Sequence, residues 1–359
     1  MSKFLLAGGG TAGHVNPLLS LADAIKADSA ENQVWALGTK EGLESRLVPA
    51  RGHQLLIIAK VPFPRQLNSA ALMFPFRFIG SVTRCLSIIR SKKIDVVVGF
   101  GGYASAPAYV AARIARVPIV VHEANALPGW ANKLGAKWAA AVGVAFKNTP
   151  IANGFFVGMP LRREIEQLVK AKDVGKAREF FGLEKDAPTL LVTGGSLGAR
   201  RINQAVDASR KILTAAGIQV LHIVGDKSEF LPLSEQGYLR IGYCDRMDLA
   251  IAAADLAVSR SGASTVSEFA AVGLPALFVP YPVGNGEQAL NAAELVAAGG
   301  AEIVADQDFT ADYVAGQLVS LASDNRRLKL MAEAAKAVGV SDGTARLLAM
   351  VKGVLKSAS

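Results

Sequence analysis

A histidine closes a glycine run near the start of the chain: Gly8-Gly9-Gly10-Thr11-Ala12-Gly13-His14. The run follows a short apolar stretch, Phe4-Leu5-Leu6-Ala7, and precedes a helical pattern from Asn16 to Ala27. A glycine turn between a strand and a helix N-terminus lets backbone N–H groups come close to a phosphate. Imidazole is the side chain best matched to general-base work near neutral pH. His14 therefore stands where proton transfer would meet a phosphorylated group. The bland alternative for a lone histidine is a helix cap or a surface group. The same layout returns half-way along: Thr189-Leu190-Leu191-Val192, then Thr193-Gly194-Gly195-Ser196-Leu197-Gly198-Ala199-Arg200, then a helix. Two such loops imply two nucleotide-type folds, each facing something phosphorylated.

Three further constellations carry polar chemistry. Leu256-Ala257-Val258-Ser259 delivers the chain into Ser261-Gly262-Ala263-Ser264-Thr265-Val266-Ser267-Glu268. Small residues open that helix, so its N–H groups can reach a pyrophosphate. Glu268 lies about a turn in, where a carboxylate can accept two sugar hydroxyls; its plain alternative is a surface glutamate. Arg260 and Arg162 are candidates to neutralise phosphate, although most arginines are merely solvated. His122-Glu123-Ala124-Asn125, after Ile119-Val120-Val121, puts polar groups at a strand's carboxyl edge or simply caps a turn, and Glu123 is the next candidate base after His14. Gly8, Gly10 and Gly13 also fit G-x-G-x-x-G. A dinucleotide fold wants an acid closing the second strand, and that strand ends Ala36-Leu37-Gly38-Thr39. Nicotinamide binding is disfavoured accordingly.

These residues must be held by alternating strands and helices. Strand candidates are 3–7, 33–37, 54–58, 95–99, 118–121 and 141–145, then 189–193, 219–224, 239–242, 256–259, 276–279 and 301–304. Short apolar runs separated by helical patterns argue for parallel sheets of βαβ units. The glycine turns, including Gly99-Phe100-Gly101-Gly102, fall at strand carboxyl ends, where such folds collect ligands. The expected class is α/β, two Rossmann-like doubly wound domains facing a cleft. Pro, Gly and Asn between Asn148 and Pro160 mark the join. The expected domains are 1–160, with a final helix at 343–359 packing back on it, and 161–342.

The 359 residues suffice for two cores, 51% are hydrophobic and 19% charged, which excludes a disordered chain. Cys85 and Cys244 fit no metal or redox spacing and read as buried thiols of a reducing compartment. No signal peptide is expected. The best transmembrane candidate, Ala104 to Val121, is cut by Arg113, Arg116 and Pro118 and is not expected to span a membrane. The net charge of +9 is lopsided: residues 1–160 hold 17 Lys/Arg against 7 Asp/Glu, and residues 161–359 hold 22 against 23. Between Glu44 and Asp95 no acid occurs, while Arg46, Arg51, Lys60, Arg65, Arg77, Arg84, Arg90, Lys92 and Lys93 do. Within this basic stretch Leu67, Leu72, Met73, Phe74, Phe76, Phe78 and Ile79 crowd together, with Pro75 and Gly80 expected to interrupt a clean helix. Apolar plus basic without acid suits a helix lying on an anionic membrane surface; a core helix with a solvated basic face is the alternative. Nucleic acid is disfavoured, because the aromatics are all Phe in one cluster and no binding module appears.

Five motifs in order resemble a known family: Gly9-Gly10-Thr11-Ala12-Gly13-His14, Gly101-Gly102-Tyr103-Ala104-Ser105, His122-Glu123-Ala124-Asn125, Gly194 to Arg200, and Ser259 to Glu268. From Gly8 to about residue 345 the chain is similar to the bacterial cell-wall N-acetylglucosaminyltransferases that convert lipid I to lipid II, which are GT-B glycosyltransferases. The resemblance implies a first half that binds lipid I, with Gly10, Gly101, Gly102 and Tyr103 near its pyrophosphate. It implies a second half that binds UDP-N-acetylglucosamine: Glu268 on the ribose, Ser196, Arg162, Ala263, Ser264 and Thr265 around the diphosphate, and backbone near Cys244 facing the uracil. Gln288 and Asn125 would touch the donor sugar, bordered by Thr11, Ala12 and Gly13. His14 would be the base. No cofactor or metal is implied, helix termini and Arg162 taking a metal's electrostatic role. Phe74, Phe76, Phe78, Arg77 and Arg84 would dock on the cytoplasmic face of the cell membrane, and membrane-bound cell-wall synthesis proteins are candidate partners. Three positions depart from the family pattern: Met159 for the usual Asn, Ala124 for Gln, and Glu287 for the first of two glutamines. The rivals are a related enzyme on another acceptor, such as a diacylglycerol glycosyltransferase or a UDP-sugar epimerase, and a non-catalytic module that binds lipid pyrophosphates.

Overall fold

Valine, leucine and isoleucine fill the strands because both faces of each sheet are covered. In β1 (Lys3–Ala7), Phe4 and Leu6 point to one layer and Leu5 and Ala7 to the other, and all four are buried. The computed structural model describes residues 1–62, 69–194, 199–226, 228–282 and 286–358, leaving aside the side chains of 69–71 and 358. It divides into two units, Met1–Arg162 with Asp342–Ser359, and Arg163–Ser341.

The first unit adds β2 (Gln33–Gly38), β3 (Gln54–Ile57), β4 (Val96–Gly99), β5 (Ile119–Glu123), β6 (Ala141–Val144) and β7 (Gly154–Phe156). The order is β3-β2-β1-β4-β5-β6-β7, parallel throughout. The strand order reverses between β1 and β4, and ligands of such sheets collect beyond that point. Its helices are α1 (Ala12–Asp28), α2 (Glu44–Ala50), α3 (Ser69–Lys92), α4 (Ser105–Ala115) and α5 (Trp130–Ala136).

The second unit has β8 (Thr189–Thr193), β9 (Gln219–Ile223), β10 (Leu233–Glu235), β11 (Tyr238–Ile241), β12 (Leu256–Ser259), β13 (Ala276–Phe278) and β14 (Ala301–Ile303). Its order is β10-β11-β9-β8-β12-β13-β14, and only the edge strand β10 runs antiparallel. The reversal here lies between β8 and β12. Its helices include α6 (Arg163–Lys170), α7 (Val174–Phe180), α8 (Arg200–Ala208), α9 (Arg210–Ala215), α10 (Met247–Ala253), α11 (Ala263–Val272) and α12 (Glu287–Ala297). After them come α13 (Ala311–Tyr313), α14 (Val319–Ser323) and α15 (Asn325–Val338). The last helix, α16 (Gly343–Ala358), belongs to the first unit: Leu347 and Val351 are buried with Val15, Leu18 and Leu19 of α1, and Lys352 pairs with Asp28 at 2.7 Å.

Three expectations change. The stretch read as a join, Asn148 to Pro160, contains β7, which extends the first sheet beside β6. Pro75 and Gly80 do not break α3. By length and composition Leu72–Lys92 of α3 is apolar enough to cross a membrane, whereas Ala104–Val121, the segment singled out from sequence, is split between α4 and β5. The C-terminal half of α3 buries Val82, Cys85, Ile88 and Ile89 in the core of the first unit. Its N-terminal half leaves Leu72, Met73, Phe76 and Ile79 exposed.

Candidate functional site

In the first unit the loops after β1 and β4 lie side by side at the reversal point. Gly10, Gly101 and Gly102 have φ of +91°, +90° and +77°, a region that disfavours side chains. A Cβ on Gly102 would fall on the Gly9 carbonyl oxygen, so the two loops touch backbone to backbone. Ser105 fastens this contact, its hydroxyl bonding the carbonyls of Ala7 at 2.9 Å and Gly101 at 2.7 Å.

Thr11 is the N-cap of α1, and Ala12, Gly13 and His14 form its first turn. The Thr11 side chain does not cap the helix; its hydroxyl lies 3.3 Å from His14 Nδ1. That nitrogen is 3.1 Å from the Gly9 carbonyl oxygen. A carbonyl can only accept, so the hydrogen-bond partners assign the proton to Nδ1. Nε2 then carries the lone pair. It faces the backbone of Gly101, where a Cβ would approach it to 3.2 Å, and has no hydrogen-bond partner among the described residues. A half-buried imidazole with Nδ1 held and Nε2 open is arranged to take a proton.

The Gly10 N–H does not project freely. It donates to Glu44 Oε2 at 2.8 Å, so the contact expected between Gly10 and a pyrophosphate cannot run through that N–H. Tyr103 is exposed, with Lys60 Nζ 5.1 Å above its ring.

Glu123 has a different task from the one expected of a reserve base. It is 2% exposed and accepts from Asn125 N at 2.9 Å, Gly129 N at 3.0 Å and Asn132 Nδ2 at 2.9 Å. It shapes the turn between β5 and α5 and thereby places Asn125. His122 is fully buried, donates from Nε2 to the Gly158 carbonyl oxygen at 3.1 Å, and burial pushes its pKa down to about 4. These two residues behave as a capped turn.

In the second unit α11 starts at the reversal between β8 and β12. Gly262 is its N-cap, and no side chain caps the helix. Its first N–H groups therefore carry partial positive charge without a local acceptor from the cap residue. The hydroxyls of Ser261 and Ser264 are buried and lack a hydrogen-bond partner among the described residues. Ala263, Ser264 and Thr265 make up the first turn, and Glu268 follows, 7% exposed. A buried carboxylate one turn into a polar-mouthed helix is not the surface glutamate of the plain alternative. Ser196, expected at the diphosphate, lies outside the described residues.

Gln288 is on α12, and its carbonyl accepts from Tyr281 N at 2.9 Å, leaving its amide hydrogens for another partner. Cys244 is buried in the segment between β11 and α10. Arg162 is half-buried and closes the first unit's main segment. Arg260 is tied down: it pairs with Asp306 at 2.6 Å and donates to the carbonyls of Val279 at 2.9 Å and Pro280 at 3.1 Å. Its candidate role at a phosphate gives way to bracing β13. Asp306 and Asp308 have the Asp-x-Asp spacing of a metal pair, but Asp306 is engaged by Arg201 as well as Arg260.

Two α/β units built on largely parallel sheets, each with a helix N-terminus at its reversal point, define the GT-B class of nucleotide-sugar glycosyltransferases. The model of the glycosyltransferase family 28 N-terminal domain matches residues 4–144, and that of the family's C-terminal domain matches 189–347. The chain belongs to this family. It is 55% identical over 358 residues to the UDP-N-acetylglucosamine–N-acetylmuramyl-(pentapeptide) pyrophosphoryl-undecaprenol N-acetylglucosamine transferase of Clavibacter sepedonicus, covering 99% of this chain and 98% of that one. The enzyme of the same name from Leifsonia xyli is 54% identical over the whole of both chains. The crystal structure of Acinetobacter baumannii MurG superposes with a TM-score of 0.78 at 26% identity, covering 98% of this chain and all of that one. A UDP co-structure of Staphylococcus aureus MnaA shares the fold, with a TM-score of 0.71 at 15% identity over 99% and 97% of the two chains.

Proposed function

We propose that this chain transfers N-acetylglucosamine from UDP-N-acetylglucosamine to the C4 hydroxyl of the undecaprenyl-linked muramyl sugar of lipid I, with inversion at the anomeric carbon. The observation that carries the reading is identity above half, end to end, with transferases named for that donor and that acceptor. The reaction needs a base for the attacking hydroxyl and a positive field for the departing diphosphate. His14 Nε2 supplies the first, accepting the hydroxyl proton as the new C–O bond forms. The open N-terminus of α11 and the Arg162 guanidinium supply the second. Glu268 accepts the ribose hydroxyls, Ser264 and Thr265 line the diphosphate, and Gln288 and Asn125 meet the sugar.

The acceptor's long lipid keeps it in a membrane, so the enzyme must work at that surface. Phe76, Leu72 and Ile79 on α3, beside exposed Arg77 and Arg84, fit an apolar-and-basic contact with an anionic leaflet. Phe74 and Phe78 stack at 5.6 Å and stiffen that face. Such a contact supports a peripheral position on the cytoplasmic face of the membrane.

The test is His14→Ala. A positioned general base contributes roughly 10²–10⁴ in rate. Turnover should fall within that range while UDP affinity, measured by calorimetry, holds, because the uridine contacts lie beyond residue 190. Near-normal turnover in a folded variant would remove His14 from this role.

A further inference from the structure

The Gly9–Gly10 peptide is held from both sides. Its carbonyl oxygen lies 3.1 Å from His14 Nδ1, and its N–H donates to Glu44 Oε2 at 2.8 Å. Glu44 opens α2 and is 1% exposed. Its other oxygen accepts from Thr39 N at 2.8 Å and from the Thr39 hydroxyl at 2.9 Å. Three donors and no acceptor meet this carboxyl group, the pattern of the ionised form. No basic side chain pairs with it among the described residues. A buried carboxylate without a cation is costly to desolvate, and the sequence makes room for it at unusual length. A Cβ on Gly9, Gly38 or Gly42 would each run into the Glu44 side chain.

We propose that Glu44 and His14 form a dyad relayed through the Gly9–Gly10 peptide, in which the buried carboxylate polarises that peptide so that its carbonyl fixes the Nδ1 proton and stabilises the imidazolium formed when Nε2 takes a proton. The proposal rests on the reading of His14 as the base. In the Ser-His-Asp arrangement the carboxylate bonds Nδ1–H directly and sets the tautomer. Here one amide group stands between them. Hydrogen bonds in a chain strengthen one another by about 10–30% each, and a charged end member gives the larger effect. The proton taken from the acceptor hydroxyl rests on Nε2, the Nδ1 proton stays where it is, and Glu44 remains ionised throughout. Glu44 touches no substrate; it is a positioning residue.

The other groups around His14 do not duplicate this connection. Thr11 offers its hydroxyl to Nδ1 as a second acceptor. Glu123, at the end of β5, is engaged by Asn125, Gly129 and Asn132. Lys60 sits over the Tyr103 ring. Among these, only Glu44 reaches His14 through a peptide bonded at both ends.

Proton NMR titration of the ligand-free protein tests the relay without any turnover. The chain has four histidines, and burial pushes His122 down to about 4 and His222 to about 3. His14→Gln identifies the His14 signal among the four. In the unsubstituted protein, nitrogen shifts should show neutral His14 protonated on Nδ1. Glu44→Gln should lower the His14 midpoint by about half a pH unit or more. The acidic limb of the kcat profile should move down by the same amount, with kcat reduced several-fold and KM for UDP-N-acetylglucosamine unchanged. Glu44→Asp, which keeps the charge, should return the midpoint towards the original value. A folded Glu44→Gln protein with an unmoved midpoint overturns the relay, and so does an Nε2–H tautomer in the unsubstituted protein. If Glu44→Gln does not fold, that tautomer and the Glu44→Asp titration still decide. A failure of the base assignment would show separately, as normal turnover of His14→Ala with the titration intact.

Discussion

Replacing Gly102 by alanine puts a methyl group in place of one hydrogen, and the structure says where it must go. The Cβ would fall on the Gly9 carbonyl oxygen and lie 3.2 Å from the Gly9 carbon and nitrogen. All three are backbone atoms of the loop that also holds His14, so no flexible side chain can swing aside. Gly102 also has φ of +77°, which costs an L-residue roughly 1–2 kcal/mol. Overpacking adds about 1–3 kcal/mol. The expected loss of stability is about 2–5 kcal/mol. Gly52→Ala is the matched control, since Gly52 has φ of +76° and nothing within 4 Å of its Cβ position. It should cost only the backbone part, about 1–2 kcal/mol. Urea unfolding followed by circular dichroism measures both. Displacing Gly9 also moves the acceptor of the His14 Nδ1 proton, so Gly102→Ala should lose at least ten-fold in kcat at a temperature where it is folded, a lower bound taken from the rough contribution of a general base. Calorimetric UDP affinity should stay as it was, because the uridine site is assigned to the other unit. Equal stability of the two alanine variants, or full turnover by Gly102→Ala, would refute the close-approach argument.

Glu268→Ala should weaken UDP binding roughly ten- to a hundred-fold, as charged hydrogen bonds to hydroxyls are worth about 1.5–3 kcal/mol; an unchanged calorimetric affinity would remove Glu268 from the ribose. The protein should co-sediment with vesicles containing anionic lipid, less so as salt rises, and Leu72→Ser with Phe76→Ser should remove much of the salt-resistant part; equally weak binding to neutral and anionic vesicles would contradict the membrane role. Thermal stability should fall on acidification below about pH 6.5. His122 and His222 are held neutral when folded, at about 4 and about 3, and bind protons at the ordinary 6.5 when unfolded, so their contribution is present above 6.5 and lost as pH drops. Each should contribute a slope approaching 1.4 kcal/mol per pH unit, levelling near pH 4 for His122; a flat profile between pH 6.5 and 5 would contradict their burial as neutral groups.

The strands and the glycine turns were legible because each leaves a local mark: an apolar run of four to six residues, then glycines where the backbone must turn or approach closely. The loops at Gly8, Gly101 and Gly262 lie where those marks put them, at strand carboxyl ends. β7 left almost no mark, being three residues, Gly154-Phe155-Phe156, inside a stretch rich in turn formers. Pro75 reads as a helix breaker in isolation, yet α3 continues through it because Val82, Cys85, Ile88 and Ile89 fasten the following turns to the core. Arg260 and Glu123 look like site residues from their neighbours in sequence; only tertiary contacts, Asp306 for one and Asn132 for the other, reveal their supporting tasks. Glu44 was invisible for the same reason. Its partners Gly10 and Thr39 lie 34 and 5 residues away, and the sole hint in the sequence is Gly38 and Gly42 flanking the turn before it.

The central claim is the transfer itself, and one assay addresses it most directly. The purified protein is mixed with UDP-N-acetylglucosamine and lipid I in vesicles, and UDP release and the lipid product are followed together by chromatography and mass spectrometry. The account predicts UDP release only when both substrates are present, matched by one N-acetylglucosamine added to the C4 hydroxyl of the muramyl sugar with inverted anomeric configuration. Release of UDP without lipid I, an epimerised sugar, or transfer to a diacylglycerol in its place would contradict it.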